Sequence, residues 1–263
     1  MKTALLLSTY NWPSALGLVL KSIEQQTLIP DEVLIADDGS TDDTKDLIDK
    51  FKASTSLNLK HIWHEDNGFR RSSILNKAVA QSNAQYIIQT DGDCILHKNF
   101  VKDHVHCSLS NTYLYGSRVS IKENLLPELF EKGIINFNFF SSGIKKRSRT
   151  LRIPFLANNY KPDKVLSNKL RGCNLSFWKD DFIAVNGYNE DMTGWGREDS
   201  EMVIRMMNNG ILGKRIRYGG IIYHIWHKTV SKSNLNVNDS LQQKAIDKNL
   251  KWCKNGIDQY LNS

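Results

Sequence analysis

The sequence has few of the features that mark secreted, disulfide-stabilised or membrane-spanning proteins. It contains four cysteines among 263 residues. Cys94, Cys107, Cys173 and Cys253 lack the paired spacing of zinc knuckles and disulfide frameworks. No apolar run approaches the roughly 20 residues that a membrane-spanning helix needs. The cysteine content therefore fits a reducing cytoplasm best.

Repeats and low-complexity linkers are also lacking, so we expect one domain over residues 1–263. The apolar start, Met1–Leu7, superficially resembles a signal peptide. However, polar Ser8–Asn11 follow directly, and no small-residue cleavage site is present. We interpret this segment as a first buried strand.

The formal net charge is +7. Such a balance suits nucleic acid, anionic lipid or a phosphate-bearing small molecule. The densest basic run comprises Lys145, Lys146, Arg147, Arg149 and Arg152. No nucleic-acid-binding motif accompanies it, so we expect no nucleic-acid partner. A solvated loop is the simpler explanation of the run.

Apolar runs alternate with helical patterns in the first half of the chain. Strands are predicted at Thr3–Ser8, Glu32–Ala36, Leu59–His64 and Tyr86–Thr90. Helices between them are predicted at Ser14–Gln26, Asp42–Phe51 and Ser72–Gln81. This alternation predicts an α/β fold with a mostly parallel central sheet and flanking helices.

The second half is less regular. Helices are predicted near Lys179–Val185 and up to Met207, and a strand is predicted near Gly220–Tyr223. An amphipathic closing helix is predicted from about Ser240 to Leu261. The aromatic stretch Ile134–Phe140, with the basic run after it, predicts either a surface that docks on anionic lipid or a core helix followed by a loose loop.

Polar clusters stand where the four predicted strands of the first half end. They are Ser8–Asn11, Asp37–Thr41, His64–Asn67 and Asp91–Asp93. Ligands of parallel α/β sheets bind beyond the carboxyl ends of the strands. We therefore expect one site built from these four loops.

The segment Asp91-Gly92-Asp93 carries two carboxylates at a strand end. Such a pair can hold a hard cation against a diphosphate, where the cation offsets charge on the leaving phosphate. Asp and Gly are also favoured in turns, so the segment could equally be a structural turn. By itself it leaves both explanations open.

Four motifs, in this order and spacing, resemble the family 2 glycosyltransferases, which have the nucleotide-sugar-binding GT-A fold. They are Ser8–Asn11, Asp37–Ser40, Asn67-Gly68 leading into a predicted helix, and Asp91–Asp93. The resemblance covers about the first hundred residues. It implies that Ser8 lies by the uracil, that Asp38 accepts from the uracil N–H, and that Arg70 or Arg71 lies near the diphosphate. It also implies donor contacts from Tyr10 and Asp91.

The segments Arg171–Phe177, Phe182–Tyr188 and Gly194–Glu201 resemble β-1,4-galactosyltransferases and bacterial chondroitin polymerases. The resemblance implies that Asp199 is the catalytic base, and an acidic first turn of a helix is the simpler alternative. It further implies roles for the following neighbours: Glu198 in binding sugar hydroxyls, Asn174 in donor binding, and Trp195 with Gly196 in acceptor binding.

The tetrapeptide His-Ile-Trp-His occurs twice, at His61–His64 and His224–His227. The first copy lies in a predicted strand, where residues three apart point to opposite faces, so we interpret it as structural. The second copy matches the metal-binding Met-x-x-His segment of the related galactosyltransferases. His227 matches its histidine, and His224 replaces its methionine. The resemblance implies a metal site of Asp93 and His227, with His224 as a further ligand.

Together these resemblances imply an inverting transfer from a UDP-sugar, with Mn²⁺ or Mg²⁺, to a glycan or lipid-linked acceptor in surface polysaccharide synthesis. Residues 1–120 would be the nucleotide-binding half, 121–170 a variable, mobile insertion, and 171–263 the acceptor-binding and catalytic half. The location would be cytoplasmic, at the inner face of the membrane. A nucleotidyltransferase and a non-catalytic carbohydrate-binding protein are the alternatives.

Overall fold

Eleven strands form two sheets in the computed structural model, which describes residues 1–157, 159–228 and 234–261. The central strands are buried on both faces, as their nearly continuous apolar sequences require. The strands are β1 Thr3–Thr9, β2 Glu32–Asp37, β3 Leu59–Trp63, β4 Tyr86–Asp91, β5 Cys94–Leu96, β6 Thr112–Tyr115, β7 Arg118–Ile121, β8 Ile144–Lys145, β9 Leu175–Trp178, β10 Leu212–Arg215 and β11 Ile222–His224.

Helices flank the sheets. They are α1 Pro13–Glu24, α2 Asp42–Ser54, α3 Arg71–Ala80, α4 Phe100–Cys107, α5 Leu126–Lys132, α6 Pro154–Ala157, α7 Lys179–Ala184, α8 Glu198–Asn208 and α9 Leu235–Asp247. Short 3₁₀ turns lie at Glu123–Leu125, Arg147–Thr150, Gly172–Asn174 and Ile257–Tyr260. Within the described ranges, none of the helices has both the length and the apolar character needed to cross a bilayer.

The larger sheet has the strand order β10-β6-β9-β4-β1-β2-β3. Its pairs are parallel except those of β9, which runs antiparallel between β4 and β6. The predicted α/β fold with a mostly parallel sheet is confirmed. Since β1 to β4 run parallel, their carboxyl ends meet at one edge.

The smaller sheet has the strand order β5-β11-β7-β8. Strand β11 pairs antiparallel with β5, so that His224 lies opposite Cys94. The backbone N–H of Ile225 then donates to the carbonyl of Asp93 at 2.9 Å. This pairing brings the second His-Ile-Trp-His segment to the end of β4.

The predicted closing helix from Ser240 to Leu261 is wrong in extent. Helix α9 ends at Asp247, and Asn249 takes a left-handed conformation with φ 48°. The chain then inserts Cys253 and Ile257 into the core, both at most 5% exposed. Burial of these side chains requires a change of direction that a continuous helix does not allow.

The aromatic stretch Ile134–Phe140 is not a helix, so the expectation of a core helix there is wrong. Helix α5 ends at Lys132, Gly133 follows it in a left-handed conformation, and the chain after that is irregular. The Phe137 ring packs 4.9 Å from that of Tyr223. In contrast, Phe139 and Phe140 are 40% and 87% exposed. Phe137 therefore packs against the protein, whereas Phe139 and Phe140 lie at the surface.

Candidate functional site

The four predicted polar clusters meet at the carboxyl edge of the larger sheet. Strand register places Ser8 beside Asp91, Thr9 beside Asp37, and Asp37 beside Trp63. The loops are also tied together, because Asn11 Oδ1 accepts from the backbone N–H of Thr41 at 2.9 Å. The expectation of one shared edge is confirmed.

Arg71, at the first position of α3, connects this edge to the second half of the chain. Its Nη2 donates to Asp91 Oδ1 at 2.6 Å, and its Nε donates to Ser8 Oγ at 3.2 Å. Its Nη1 donates to Glu198 Oε1 at 3.2 Å, across 127 positions of sequence. One guanidinium thus holds residues from both halves in a fixed arrangement.

Charge is balanced around this guanidinium. Burial opposes ionisation of Asp91, but the Arg71 charge and the Ser8 hydroxyl outweigh it and lower the pKa of Asp91. Burial and the nearby Asp199 raise the pKa of Glu198 to about 7, against the opposing effect of Arg71. Glu198 is therefore the acidic group of this network that takes up a proton near neutral pH.

Asp93, His224 and His227 form a compact group of possible metal ligands. His227 Nε2 lies 3.3 Å and His224 Nε2 lies 3.5 Å from the same oxygen, Asp93 Oδ2. Ligands of a cation bound at about 2.1 Å lie about 3 Å apart, so small shifts would seat one. The three donor atoms all lie within 4.8 Å of one another. The residues fit a divalent cation.

The tautomer of His227 supports this assignment. Its Nδ1 lies 2.7 Å from the carbonyl oxygen of Lys228. A carbonyl only accepts, so Nδ1 carries the hydrogen, and in the neutral ring the Nε2 lone pair faces Asp93. A metal-binding histidine needs this arrangement.

The surroundings of this group disfavour charge on its members. Burial, reinforced by Asp91, raises the pKa of Asp93 to about 6. Burial and the positive charge of Arg118 lower the pKa of His224 to about 3. His224 is thus neutral at physiological pH, as a ligand must be.

Asp199 lies in the first turn of α8, where the helix dipole stabilises negative charge. Its Oδ2 accepts from the backbone N–H of Gly172 at 2.6 Å, and its Oδ1 accepts from that of Ser200 at 2.7 Å. Half-buried and fixed by two backbone donors, this carboxylate has one orientation and remains accessible to a ligand.

The loop before α8 requires glycine at Gly196. Its φ is +108°, and a Cβ there would come within 2.9 Å of Leu235. Its N–H donates to Glu198 Oε2 at 3.1 Å, and its carbonyl accepts from Asn238 at 2.8 Å. Trp195, 41% exposed, is thereby presented beside the acidic pair.

Asp38 is 6% exposed and accepts from two groups. His64 Nε2 lies 2.8 Å from its Oδ1, and the backbone N–H of Arg70 donates to its Oδ2 at 3.0 Å. Burial raises the pKa of Asp38 although both contacts oppose this rise. The adjacent Gly39, with φ +94°, admits the close backbone of Asp66, which a Cβ would meet at 2.5 Å.

Comparison with known proteins decides the family. The profile of glycosyl transferase family 2 matches residues 5–162, more than half of the chain. The chain belongs to glycosyl transferase family 2. A second profile, described as the N-terminal domain of galactosyltransferase, matches residues 154–228. The two resemblances drawn from the sequence motifs are confirmed.

Two similar proteins are sugar transferases or polymer synthases by name. The chain is 27% identical over 228 residues to validoxylamine A glucosyltransferase of Streptomyces hygroscopicus subsp. limoneus, covering 79% of this chain and 48% of that protein. It is 24% identical over 237 residues to chondroitin synthase of Escherichia coli, covering 84% and 34%. The chain thus spans about half or less of the length of these relatives.

Solved structures show the same fold. S. aureus TarS 1–349 in complex with UDP superposes with a TM-score of 0.63 and 18% identity, covering 92% of this chain and 64% of that one. The mannosyltransferase PcManGT from Pyrobaculum calidifontis, in complex with GDP-Man and Mn²⁺, has a TM-score of 0.57 and 16% identity, covering 94% and 62%. The predicted GT-A fold is confirmed.

Not every residue proposed for donor binding has a free side chain. Asn174 is fully buried, and its Nδ2 donates to the carbonyls of Ser117 and Gly220. Its Oδ1 lies 3.1 Å from His104 Nε2. Both polar atoms of the Asn174 amide therefore have protein partners, and the side chain joins neighbouring segments. This burial argues against a contact with the nucleotide.

The two arginine candidates and Tyr10 are placed differently. Arg71 lies at the centre of the site, whereas Arg70 is exposed and contacts Asp38 through its backbone. Tyr10 is 52% exposed at the rim, and its hydroxyl donates to Asp66 Oδ2 at 2.9 Å. Of the arginines, Arg71 is the one that the structure brings beside Asp91.

Two contacts of the site were missed in the sequence. His64 was expected at this edge as part of the His64–Asn67 cluster, but its contact with Asp38, which the parallel pairing of β2 with β3 makes possible, was not predicted. Gly172 contributes a backbone N–H to Asp199 from 27 positions away. No sequence signal identifies that contact.

Proposed function

We propose that this protein transfers a sugar from a UDP-sugar to a glycan hydroxyl with inversion, using a divalent metal. The observation that carries the proposal is the Arg71 bridge, which ties Asp91 of the donor edge to Glu198, the neighbour of Asp199. Through this bridge, the candidate metal ligands, the candidate base and an exposed aromatic ring would belong to one site.

The reaction would be a single displacement. Asp199 would accept the proton of the acceptor hydroxyl, whose oxygen forms a bond to the anomeric carbon while the bond from that carbon to the diphosphate oxygen breaks. Trp195 would pack against a pyranose face, and Glu198 would bind sugar hydroxyls. A bound cation would neutralise the charge of the departing diphosphate.

The cation would be held by Asp93, His227 and His224. Two imidazoles and one carboxylate favour a transition metal such as Mn²⁺ over Mg²⁺, which prefers oxygen ligands. On the donor side, Asp38 keeps acceptor capacity for the uracil N–H after its contacts with His64 and Arg70. Ser8 and Asp91 would maintain Arg71 near the diphosphate.

We further propose the division of one GT-A domain, residues 1–263, into a nucleotide-binding half, 1–120, a variable segment, 121–170, and an acceptor half, 171–263. The acceptor would be a glycan or lipid-linked chain of a surface polysaccharide, and the location cytoplasmic. Peripheral contact with an anionic membrane is supported by Phe140, exposed near Arg147, whose Nη1 donates to the carbonyl of Phe139 at 2.8 Å. Vesicle co-sedimentation tests that contact.

The Asp199→Asn variant tests the reaction. Loss of a positioned base should lower kcat by about 10²–10⁴-fold. UDP binding measured by calorimetry should remain within a few-fold of wild type. Asp180→Asn, on the exposed surface of α7, is the matched control and should be fully active.

A kcat of Asp199→Asn within a few-fold of wild type would show that another group is the base. The product also separates the alternatives. A glycosyltransferase releases UDP from a UDP-sugar, whereas a nucleotidyltransferase releases pyrophosphate from UTP and a sugar phosphate. Binding of both ligands without turnover by the wild type would favour a carbohydrate-binding protein.

A further inference from the structure

Six cations from distant parts of the chain form a surface beside the candidate site, which we term the basic face. They are Arg118, Lys146, Arg149, Arg171, Arg215 and Arg217. We propose that the basic face binds the acceptor and that this acceptor is a polyanion, a glycan chain bearing phosphate or carboxylate groups. The inference rests on the proposed function and specifies its acceptor.

The basic face is assembled by tertiary structure. Arg118 begins β7, Arg149 lies in the 3₁₀ turn that follows β8, and Arg215 ends β10. The Nη1 of Arg149 donates to the carbonyl of Arg118 at 2.8 Å, which fixes these two segments together. Arg171 and Arg217 lie within electrostatic reach of Arg149.

The cations of the basic face repel one another. Burial and the charges of its neighbours lower the pKa of Arg149, and the same two causes lower the pKa of Lys146. Within the described part of the chain, none of the six forms an ion pair with a carboxylate. Like charges held together at a cost to stability indicate a missing anion.

Elsewhere the protein does pair its arginines. Arg152, in the same basic run, donates to both oxygens of Asp103 at 2.6–3.1 Å. Buried Arg205 pairs with Glu201 at 2.7 Å. On the basic face, by contrast, the buried Nε of Arg215 has no hydrogen-bond partner. Among the described residues, the arginines of the basic face thus lack the carboxylate partners that Arg152 and Arg205 have.

The basic face adjoins both ends of the candidate reaction. Arg171 directly precedes Gly172, whose N–H donates to Asp199. The charge of Arg118 acts on Asp93 and on His224 of the metal group. An anionic chain lying along the basic face would therefore reach the site from the side of the base and the metal.

The donor alone does not account for so much positive charge. A nucleotide diphosphate would already be neutralised by a divalent cation, with Arg71 close by. Six additional cations exceed what the diphosphate needs. A polymer that carries one anionic group per repeat can use several of them at once.

Fluorescence anisotropy with labelled inorganic polyphosphate and labelled polygalacturonate tests the proposal, and neutral dextran is the negative probe. The two charged probes separate a preference for phosphate from one for carboxylate. We expect Arg149→Gln/Arg217→Gln to raise the Kd of the preferred probe at least about tenfold, since two charge-assisted contacts are lost. Lys50→Gln/Lys52→Gln on exposed α2 removes the same charge and should bind as wild type does.

Calorimetry of UDP in the presence of Mn²⁺ is the companion measurement, and its Kd should be unchanged in the arginine double variant. Equal polyanion affinity of the double variant and wild type would overturn the proposal. So would a parallel loss of UDP affinity, which would assign the basic face to the donor. Binding only to phosphatidylserine vesicles, and to neither soluble polyanion, would assign it to the membrane and also overturn it.

The same experiments distinguish a failure of the proposed sugar transfer from a failure of the proposed polyanion binding. Wild-type protein that binds the polyanion through these arginines but releases no UDP from any UDP-sugar would contradict the proposed reaction and support the anion-binding surface. Rapid UDP release with no polyanion binding would contradict only the surface.

Discussion

The same tetrapeptide, His-Ile-Trp-His, has two different environments in this molecule. The copy at His61–His64 ends β3 of the larger sheet, and the copy at His224–His227 ends β11 of the smaller one. Both lie at strand ends with carboxylates near them. The two copies differ in the number of carboxylates that their histidines contact: two for the first copy and one for the second.

In the first copy each histidine has a carboxylate of its own. His61 Nε2 lies 2.9 Å from Asp37 Oδ2, and His64 Nε2 lies 2.8 Å from Asp38 Oδ1. Lys77 Nζ lies 3.3 Å from the other ring nitrogen of His64. Each histidine there contacts its own carboxylate, and His64 helps to fix the loop that carries Asp38.

In the second copy two imidazoles face one oxygen. His224 and His227 both approach Asp93 Oδ2, and their ring centroids lie 5.1 Å apart. Two nitrogen donors and one carboxylate oxygen at these distances fit a divalent cation. The histidines of the first copy each pair with a carboxylate of their own, whereas those of the second share one carboxylate oxygen and form the group that we propose binds the metal.

The largest difference between the two copies is expected when the aspartate that each one contacts is replaced. Asp93→Asn should lower kcat by about 10²–10³-fold, as the loss of a transition-state electrostatic contact does. Asp37→Asn should leave catalysis intact but cost about 1–3 kcal/mol of stability, since buried Asp37 also accepts from Ser40 N–H at 2.8 Å. Steady-state kinetics and urea unfolding measure the two effects. Equal kinetic losses would remove the distinction.

Replacement of one histidine in each copy should change the metal requirement in the second copy only. His227→Ala should raise the Mn²⁺ concentration for half-maximal activity by about 10–100-fold. The matched variant His64→Ala should leave that concentration unchanged and instead weaken UDP binding through Asp38. An unaltered metal titration for His227→Ala would show that His227 is a packed strand-end residue.

Low pH should weaken metal binding at the second copy, because Asp93 becomes protonated. With a pKa raised to about 6, this carboxyl is ionised above pH 6 and protonated below it, and its proton competes with the metal. The Mn²⁺ concentration for half-maximal activity should therefore rise about tenfold per pH unit below pH 6, and saturating Mn²⁺ should restore activity. A midpoint that does not change from pH 7 to pH 5 would contradict Asp93 as a ligand.

The smallest effect is expected from His224→Met, which restores the galactosyltransferase pattern. A thioether is a weaker ligand for hard cations than imidazole. Because Asp93 and His227 remain, activity at saturating Mn²⁺ should stay within a few-fold of wild type. A loss as large as that of Asp93→Asn would make His224 an indispensable ligand.

The elements predicted best are those whose contacts are local. Strands β1 to β4 match the sequence patterns within one residue, and α1 to α3 within about three, because periodicity and turn residues act over short distances. Strand β11 was predicted near Gly220–Tyr223, whereas β6, β9 and β10 of the larger sheet and β5, β7 and β8 of the smaller one were not predicted. Strands of two to four residues acquire their structure by pairing with distant segments, and that pairing leaves little local pattern.

The α/β class, the polar edge of the sheet and the residue types of the candidate metal and acidic groups follow from the sequence alone. Tertiary structure alone decided which of them meet: Arg71 with Glu198, Gly172 with Asp199, and both histidines of the second tetrapeptide with Asp93. The reason is physical. Propensity and polarity belong to each residue and its neighbours, whereas a shared proton, charge or metal depends on distances that only the packing of remote segments sets.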